Sequence, residues 1–194
     1  MLTHDQRQIR DAARAFAEKE IAPYAAQWDR AHQTPRELFH AMANVGLMGV
    51  TIEPRYGGAG ADFVSYALAI EEISAADGGI SNVMAANNSP VGVALQNLGT
   101  DQQKQDYLTK LTSGEWIGCI QLTEPHTGSD AAAITTRATL DGDNYIIDGH
   151  KAFITAGATA DIAMIIAVTD PSAGKRGLTA FITPTDNPGY EIVR

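Results

Sequence analysis

The sequence predicts an α+β fold: an N-terminal all-α helical domain followed by an antiparallel β-barrel-like domain that looks truncated. Three observations carry this. Up to about residue 115, apolar residues recur at helical spacing behind cap signals. Beyond it, short runs rich in β-branched and aromatic residues alternate with turns. The last such run, Tyr190 to Val193, reaches the final residue, Arg194. The composition therefore divides the chain into residues 1–115 and 116–194. A strand ending on the last residue leaves an unpaired sheet edge, which reads as a fragment or as half of a split protein.

The helices follow in order. Thr3 with Gln6 makes a capping box, and Ile9, Ala13, Phe16, Ala17, Ile21 and Trp28 mark the buried face of a helix kinked at Pro23. Thr34 caps the next helix, with Pro35 first, Glu37 third and Gly46 as its stop. Gly49 to Ile52 reads as extended. The glycine-rich loop from Glu53 to Asp62 lacks both phosphate-loop spacings and reads as a structural turn. Asp62 caps a helix from Phe63 to about Ala75, on which the adjacent Glu71 and Glu72 diverge and make no catalytic pair. A further helix, from about Ser81 to Leu98, carries Asn87, Asn88, Ser89 and Pro90, read as core amides among small residues that leave room for a long apolar ligand. Thr100 with Gln103 starts the last helix, which ends at Ser113-Gly114.

Strands are expected at Trp116–Leu122, Ile134–Leu140, Tyr145–Asp148, Phe153–Thr155, Ala163–Val168, Leu178–Thr183 and Tyr190–Val193, with a hairpin turn at Asp141 to Asn144. The formal charge of −9, from 14 basic and 23 acidic residues, speaks against a nucleic-acid partner or an anionic membrane surface. The start has no cationic lead or apolar stretch of signal-peptide length, and the single cysteine, Cys119, suits a reducing cytoplasm. Five scattered histidines offer no metal-ligand spacing, so His126 reads as a loop residue rather than a ligand.

Chemistry concentrates where an apolar strand runs into a turn dense with hydroxyls and carboxylates, from Cys119 to Asp130. Taken singly, its residues fit an ordinary turn as well as a binding loop. Three stretches together resemble the acyl-CoA dehydrogenase family over essentially the whole chain: Pro54-Arg55-Tyr56-Gly57-Gly58-Ala59-Gly60 through Glu71-Glu72-Ile73; Leu122-Thr123-Glu124-Pro125 with Gly128-Ser129-Asp130; and Lys151 to Thr155 after Tyr145-Ile146-Ile147-Asp148-Gly149.

The resemblance implies that the β-domain carries FAD. Ile120, Gln121, Leu122 and Thr123 would lie along the isoalloxazine, and the Thr123 hydroxyl would bond its pyrimidine edge. Ser129 would sit by the pyrophosphate and by the thioester end of the substrate. Phe153, Ile154 and Thr155 would meet the other side of the ring, with the Thr155 hydroxyl at N5. Phe153 stands where the family usually has tryptophan, so a role resting on an indole N–H is lost. The implied reaction is α,β-dehydrogenation of an acyl-CoA, as in fatty acid metabolism, with electrons passed to an electron-transfer flavoprotein. The complete protein would be a homo-oligomer, a dimer or tetramer. The catalytic base, a glutamate in the family, is expected beyond Arg194, so these residues alone would be inactive. Two other readings stay open: a non-catalytic flavin- or acyl-CoA-binding subunit of a split dehydrogenase, and an oxygen-reacting relative such as an acyl-CoA oxidase or flavin monooxygenase.

Overall fold

In the computed structural model, which describes residues 1–193, Thr3 and Gln6 exchange backbone-to-side-chain hydrogen bonds and start α1 (His4–Phe16). A wider π-type turn, Ala17–Ile21, continues it; the chain breaks around Pro23 and restarts as α2 (Ala25–Ala31). Then come α3 (Arg36–Asn44), α4 (Phe63–Ala76), α5 (Gly78–Ala86) and α6 (Val93–Leu98). The last helical run passes from α7 (Asp101–Gln103) through a π-type turn into α8 (Thr109–Thr112). Contacts divide the chain between Ile117 and Gly118.

The core of the helical unit includes Ile21, Met42, Met48, Ile73, Ile80, Met84, Leu108 and Leu111, all nearly inaccessible. Two helix starts are sharpened by carboxylates: Asp62 Oδ1 accepts from Ser65 N at 2.7 Å and Asp77 Oδ1 from Ile80 N at 2.9 Å. Asp77 moves the start of α5 three residues ahead of the expected Ser81. Pro35 precedes α3 in extended conformation (ψ 134°), so that helix begins at Arg36 and Thr34 does not cap it.

Other expectations need correction. Residues 49–52 are not extended: Leu47–Gly49 forms a 3-10 turn, and the glycine loop folds back on it through Ala59 N to Gly49 O, Gly60 N to Ile52 O and Ala61 N to Val50 O. Gly58 permits this because a Cβ there would lie 2.0 Å from Ile52 O. The helix expected over 81–98 is interrupted between α5 and α6, where Ser89 leaves helical geometry (φ −148°, ψ 119°) ahead of Pro90. Asn87 and Asn88 are buried core amides, as their setting suggests. Asn88 accepts from Val50 N at 2.6 Å and donates to Leu47 O and Met84 O; Asn87 donates to Met48 O and Leu111 O. These amides supply the bonds that an irregular buried backbone lacks.

The second unit is a five-stranded sheet of β1 (Gly118–Gln121), β2 (Arg137–Asp141), β3 (Asn144–Asp148), β4 (Ile162–Val168) and β5 (Leu178–Pro184). The sheet is mixed rather than antiparallel throughout. β5 pairs antiparallel along all of β4, and β3 pairs antiparallel with β2 across the two-residue Gly142-Asp143 turn. β1 pairs parallel with Ile162 to Ile165, and β2 touches β4 in parallel at Arg137 and Val168. Since β5 fills one edge of β4, β1 and β2 must share the other, end to end. The connection over residues 122–136 therefore leaves the sheet and returns to the same edge.

Two expected strands are absent. Phe153 to Thr155 is irregular, bending at Phe153 and entering a turn at Thr155, with Phe153 at φ 56° and Ala156 at φ 58°. Residues 190–193 form no strand either: Tyr190 closes a turn onto Asn187 O, which removes the unpaired edge strand expected at the end of the chain. No helix among the described residues is long and apolar enough to cross a membrane.

Replacing Asn88 with leucine removes the side-chain partner of the buried Val50 N–H and Leu47 C=O, and one of the two bonds to Met84 C=O. We expect a loss of about 3 kcal/mol in unfolding free energy, read as a lower urea midpoint at unchanged slope.

Candidate functional site

The excursion of residues 122–136 is built on a buried carboxylate. Glu124 is 2% exposed. It accepts from Thr135 N (2.7 Å), Thr135 Oγ1 (2.8 Å), Thr136 N (2.9 Å) and Thr136 Oγ1, and from Lys151 Nζ at 2.9 Å. Its backbone exchanges two hydrogen bonds with Thr127, which folds the turn at Pro125-His126. Burial opposes the charged carboxylate, but the bonds from Thr136, Thr135 and Lys151 prevail and hold it far below the ordinary value of 4.5. Burial likewise lowers the Lys151 ammonium, against the opposing pull of Glu124.

Lys151 joins this loop to the next one. Its ammonium also donates to Leu122 O at 3.1 Å, and Ala152 N donates to Thr123 O at 2.9 Å. Gly149 lets the chain approach, since a Cβ there would lie 2.7 Å from the Thr136 Cα. The structure thus brings Leu122 and Thr123 beside Lys151 and Ala152, immediately before Phe153.

Each candidate residue has a definite place. On β1, Cys119 and Gln121 are buried while Ile120 is half-buried, the alternation expected of a strand. The Gln121 amide turns toward Cys119 Sγ and Tyr190 Oη instead of following the loops outward. Leu122, Thr123 and Ile154 are half-buried, and Ser129 and Thr155 are exposed. The hydroxyls of Thr123, Ser129 and Thr155 have no hydrogen-bond partner among the described residues. Phe153 is 92% exposed and sits in the left-handed region, which costs a residue with a Cβ about 1–2 kcal/mol. An exposed aromatic held in a strained backbone is a common mark of a ligand site.

This arrangement can bind and orient a ligand; Glu124 cannot act as its base, because its lone pairs are occupied and its affinity for a proton is low. No group of three His, Cys, Asp or Glu suited to a metal occurs among the described residues. Sequence reasoning missed the pairing of Glu124 with Lys151. The available signal was the Thr135-Thr136 doublet, whose hydroxyls and amides suit a carboxylate.

Folded Glu124 takes a proton only well below pH 4.5, whereas the unfolded chain takes it near that pH. Its contribution is therefore complete above about pH 5 and declines as pH falls. Glu124→Gln is expected to cost about 3–5 kcal/mol at neutral pH and to flatten the loss of stability below pH 5. Denaturant titrations of parent and variant across that range check this, and parallel profiles would contradict it.

Residues 3–115 match the description "Acyl-CoA dehydrogenase, N-terminal domain", and residues 119–194 match "Acyl-CoA dehydrogenase, middle domain". The chain is 41% identical over 191 residues to the short-chain specific acyl-CoA dehydrogenase of Clostridium acetobutylicum, covering 98% of this chain and 50% of that one. A chain in the structure described as the electron transferring flavoprotein of Acidaminococcus fermentans superposes with a TM-score of 0.92 at 43% identity, over 97% of this chain and 50% of that one. Glutaryl-CoA dehydrogenase from Mycobacterium smegmatis in complex with FADH2 superposes at 0.90 and 36% identity, over 97% and 47%. The chain spans about half the length of the curated relatives it matches. By the two domain matches, which together cover nearly all of it, the chain belongs to the acyl-CoA dehydrogenase family.

Proposed function

We propose that the two loops hold FAD and that this chain supplies the cofactor-binding part of an enzyme that dehydrogenates the α,β-bond of an acyl-CoA thioester. One observation carries the reading. The Glu124–Lys151 pair holds the loops together, while the Thr123 and Thr155 hydroxyls have no hydrogen-bond partner among the described residues, and Phe153, two residues before Thr155, exposes its ring. Such hydroxyl donors together with an exposed aromatic ring suit a flat heteroaromatic ring with acceptor atoms at its edge.

In this reading Ile120, Leu122 and Ile154 pack against the ring, and Gln121 contributes backbone only. Thr123 donates at the pyrimidine edge, where a fixed donor stabilises negative charge. Thr155 donates at N5, Phe153 shields the ring, and Ser129 meets the pyrophosphate and the thioester end of the substrate. When bound, the flavin supplies the hydride acceptor for the substrate's β-hydrogen. The base that takes the α-proton is none of these residues, and an electron-transfer flavoprotein receives the electrons. Domains 1–115 and 116–194 act as helical and flavin-binding parts of a homo-oligomer, and the single cysteine suits the cytoplasm.

Anaerobic addition of acyl-CoA thioesters of increasing chain length to the FAD-loaded whole enzyme, of which this chain is proposed to be a part, is expected to bleach the visible flavin colour. Colour that persists with every chain length refutes the dehydrogenase, and stoichiometric peroxide in air points to the oxygen-reacting relative. Thr155→Val is expected to weaken FAD binding about tenfold, the value of one ordinary hydrogen bond, as read by fluorescence titration.

A further inference from the structure

Tyr190 follows the Asn187-Pro188-Gly189 turn and has no part in the reading above, yet its hydroxyl reaches the turn that carries Thr155. Tyr190 Oη donates to Gly157 O at 2.9 Å and accepts from Gln121 Nε2. Gly157 N in turn donates to Ile154 O at 3.0 Å, and Thr159 N and Ala160 N donate to Ala156 O at 2.9 and 2.8 Å. Thr155 therefore lies inside a turn whose carbonyl at Gly157 is held through Tyr190 to strand β1. Gln121 is 7% exposed, so this is an interior connection rather than a surface contact.

The turn needs such a tether. Phe153 and Ala156 both occupy left-handed backbone, which a free loop would relax. On its N-terminal side the turn is held by Lys151 and by Ala152 N to Thr123 O. On its C-terminal side the hydroxyl of Tyr190 supplies the corresponding hold. Burial and the neighbouring Cys119 push the Tyr190 phenol up to about 12, so it remains a protonated donor across the working range.

We infer that Tyr190 and Gln121 are positioning residues for Thr155, forming a hydrogen-bonded latch from β1 to Gly157 that aims the Thr155 hydroxyl at its ligand. The inference rests on the reading of Thr155 as a flavin contact. The latch acts through Thr155 and touches no reacting atom.

The test uses Tyr190→Phe, which removes both bonds, and Gln121→Met, which removes only the bond to the strand and serves alone if the first variant does not fold. In flavin-free protein, hydrogen exchange at Gly157, Thr159 and Ala160 is expected to quicken about tenfold in Tyr190→Phe and less in Gln121→Met, with the β2–β3 hairpin unchanged. In FAD-loaded protein, the flavin reduction potential is expected to shift in Tyr190→Phe and to stay put when the same change is made in a Thr155→Val background. Exchange that is unaltered, or that rises equally through the whole sheet, overturns the latch. A potential shift of equal size in both backgrounds overturns its action through Thr155. A whole enzyme that takes up no FAD overturns the flavin reading, while the exchange data still decide the latch.

Discussion

A carboxylate withdrawn from water has to be surrounded by donors, and meeting that requirement at Glu124 organises the β-rich unit. The donors come from separate stretches: Thr135 and Thr136 where the excursion returns to the sheet, and Lys151 after the hairpin. Each must arrive at one buried point. The hairpin has to deliver Lys151 back to the base of the loop, and Gly149 has to let it pass Thr136. A buried ion pair adds little stability beyond an apolar contact of the same size, but its donors admit few alternative arrangements. Here that selectivity brings two loops together, and the Thr123 and Thr155 hydroxyls they carry have no hydrogen-bond partner among the described residues.

The sheet topology explains why there is a loop to hold. β1 and β2 occupy successive stretches of one edge of β4, so residues 122–136 have nowhere to go but out of the sheet. A rigid strand beneath an irregular excursion is the usual setting for a binding site. The same logic applies to residues 153–157, whose left-handed positions persist because bonds at both ends over-determine the turn.

The helical unit meets a comparable difficulty with amides in place of charges. Between α5 and α6 and at the 47–50 turn the backbone cannot satisfy itself, and Asn87 and Asn88 complete its hydrogen bonds from within the core. In both units, buried polar side chains are placed where regular structure stops. They fix the shape of segments that propensity alone leaves open.

By itself the sequence determined what local chemistry decides. Capping boxes at Thr3 and Thr100, carboxylate caps at Asp62, the glycine stop after α3 and the Gly142-Asp143 hairpin were legible because each is settled within a few residues. The order of motifs around Thr123, Ser129 and Thr155 likewise carried the family. Tertiary structure decided the rest. Phe153 to Thr155 looks like a strand by composition but bends, because Ala152 N–H bonds Thr123 C=O rather than a ladder partner. Tyr190 also looks like a strand residue, yet its hydroxyl is claimed by Gly157 from 33 positions away. The parallel pairing of β1 with β4 and the meeting of Glu124 with Lys151 depend on groups distant in sequence. Such contacts form only when the whole unit has closed, so no local pattern records them.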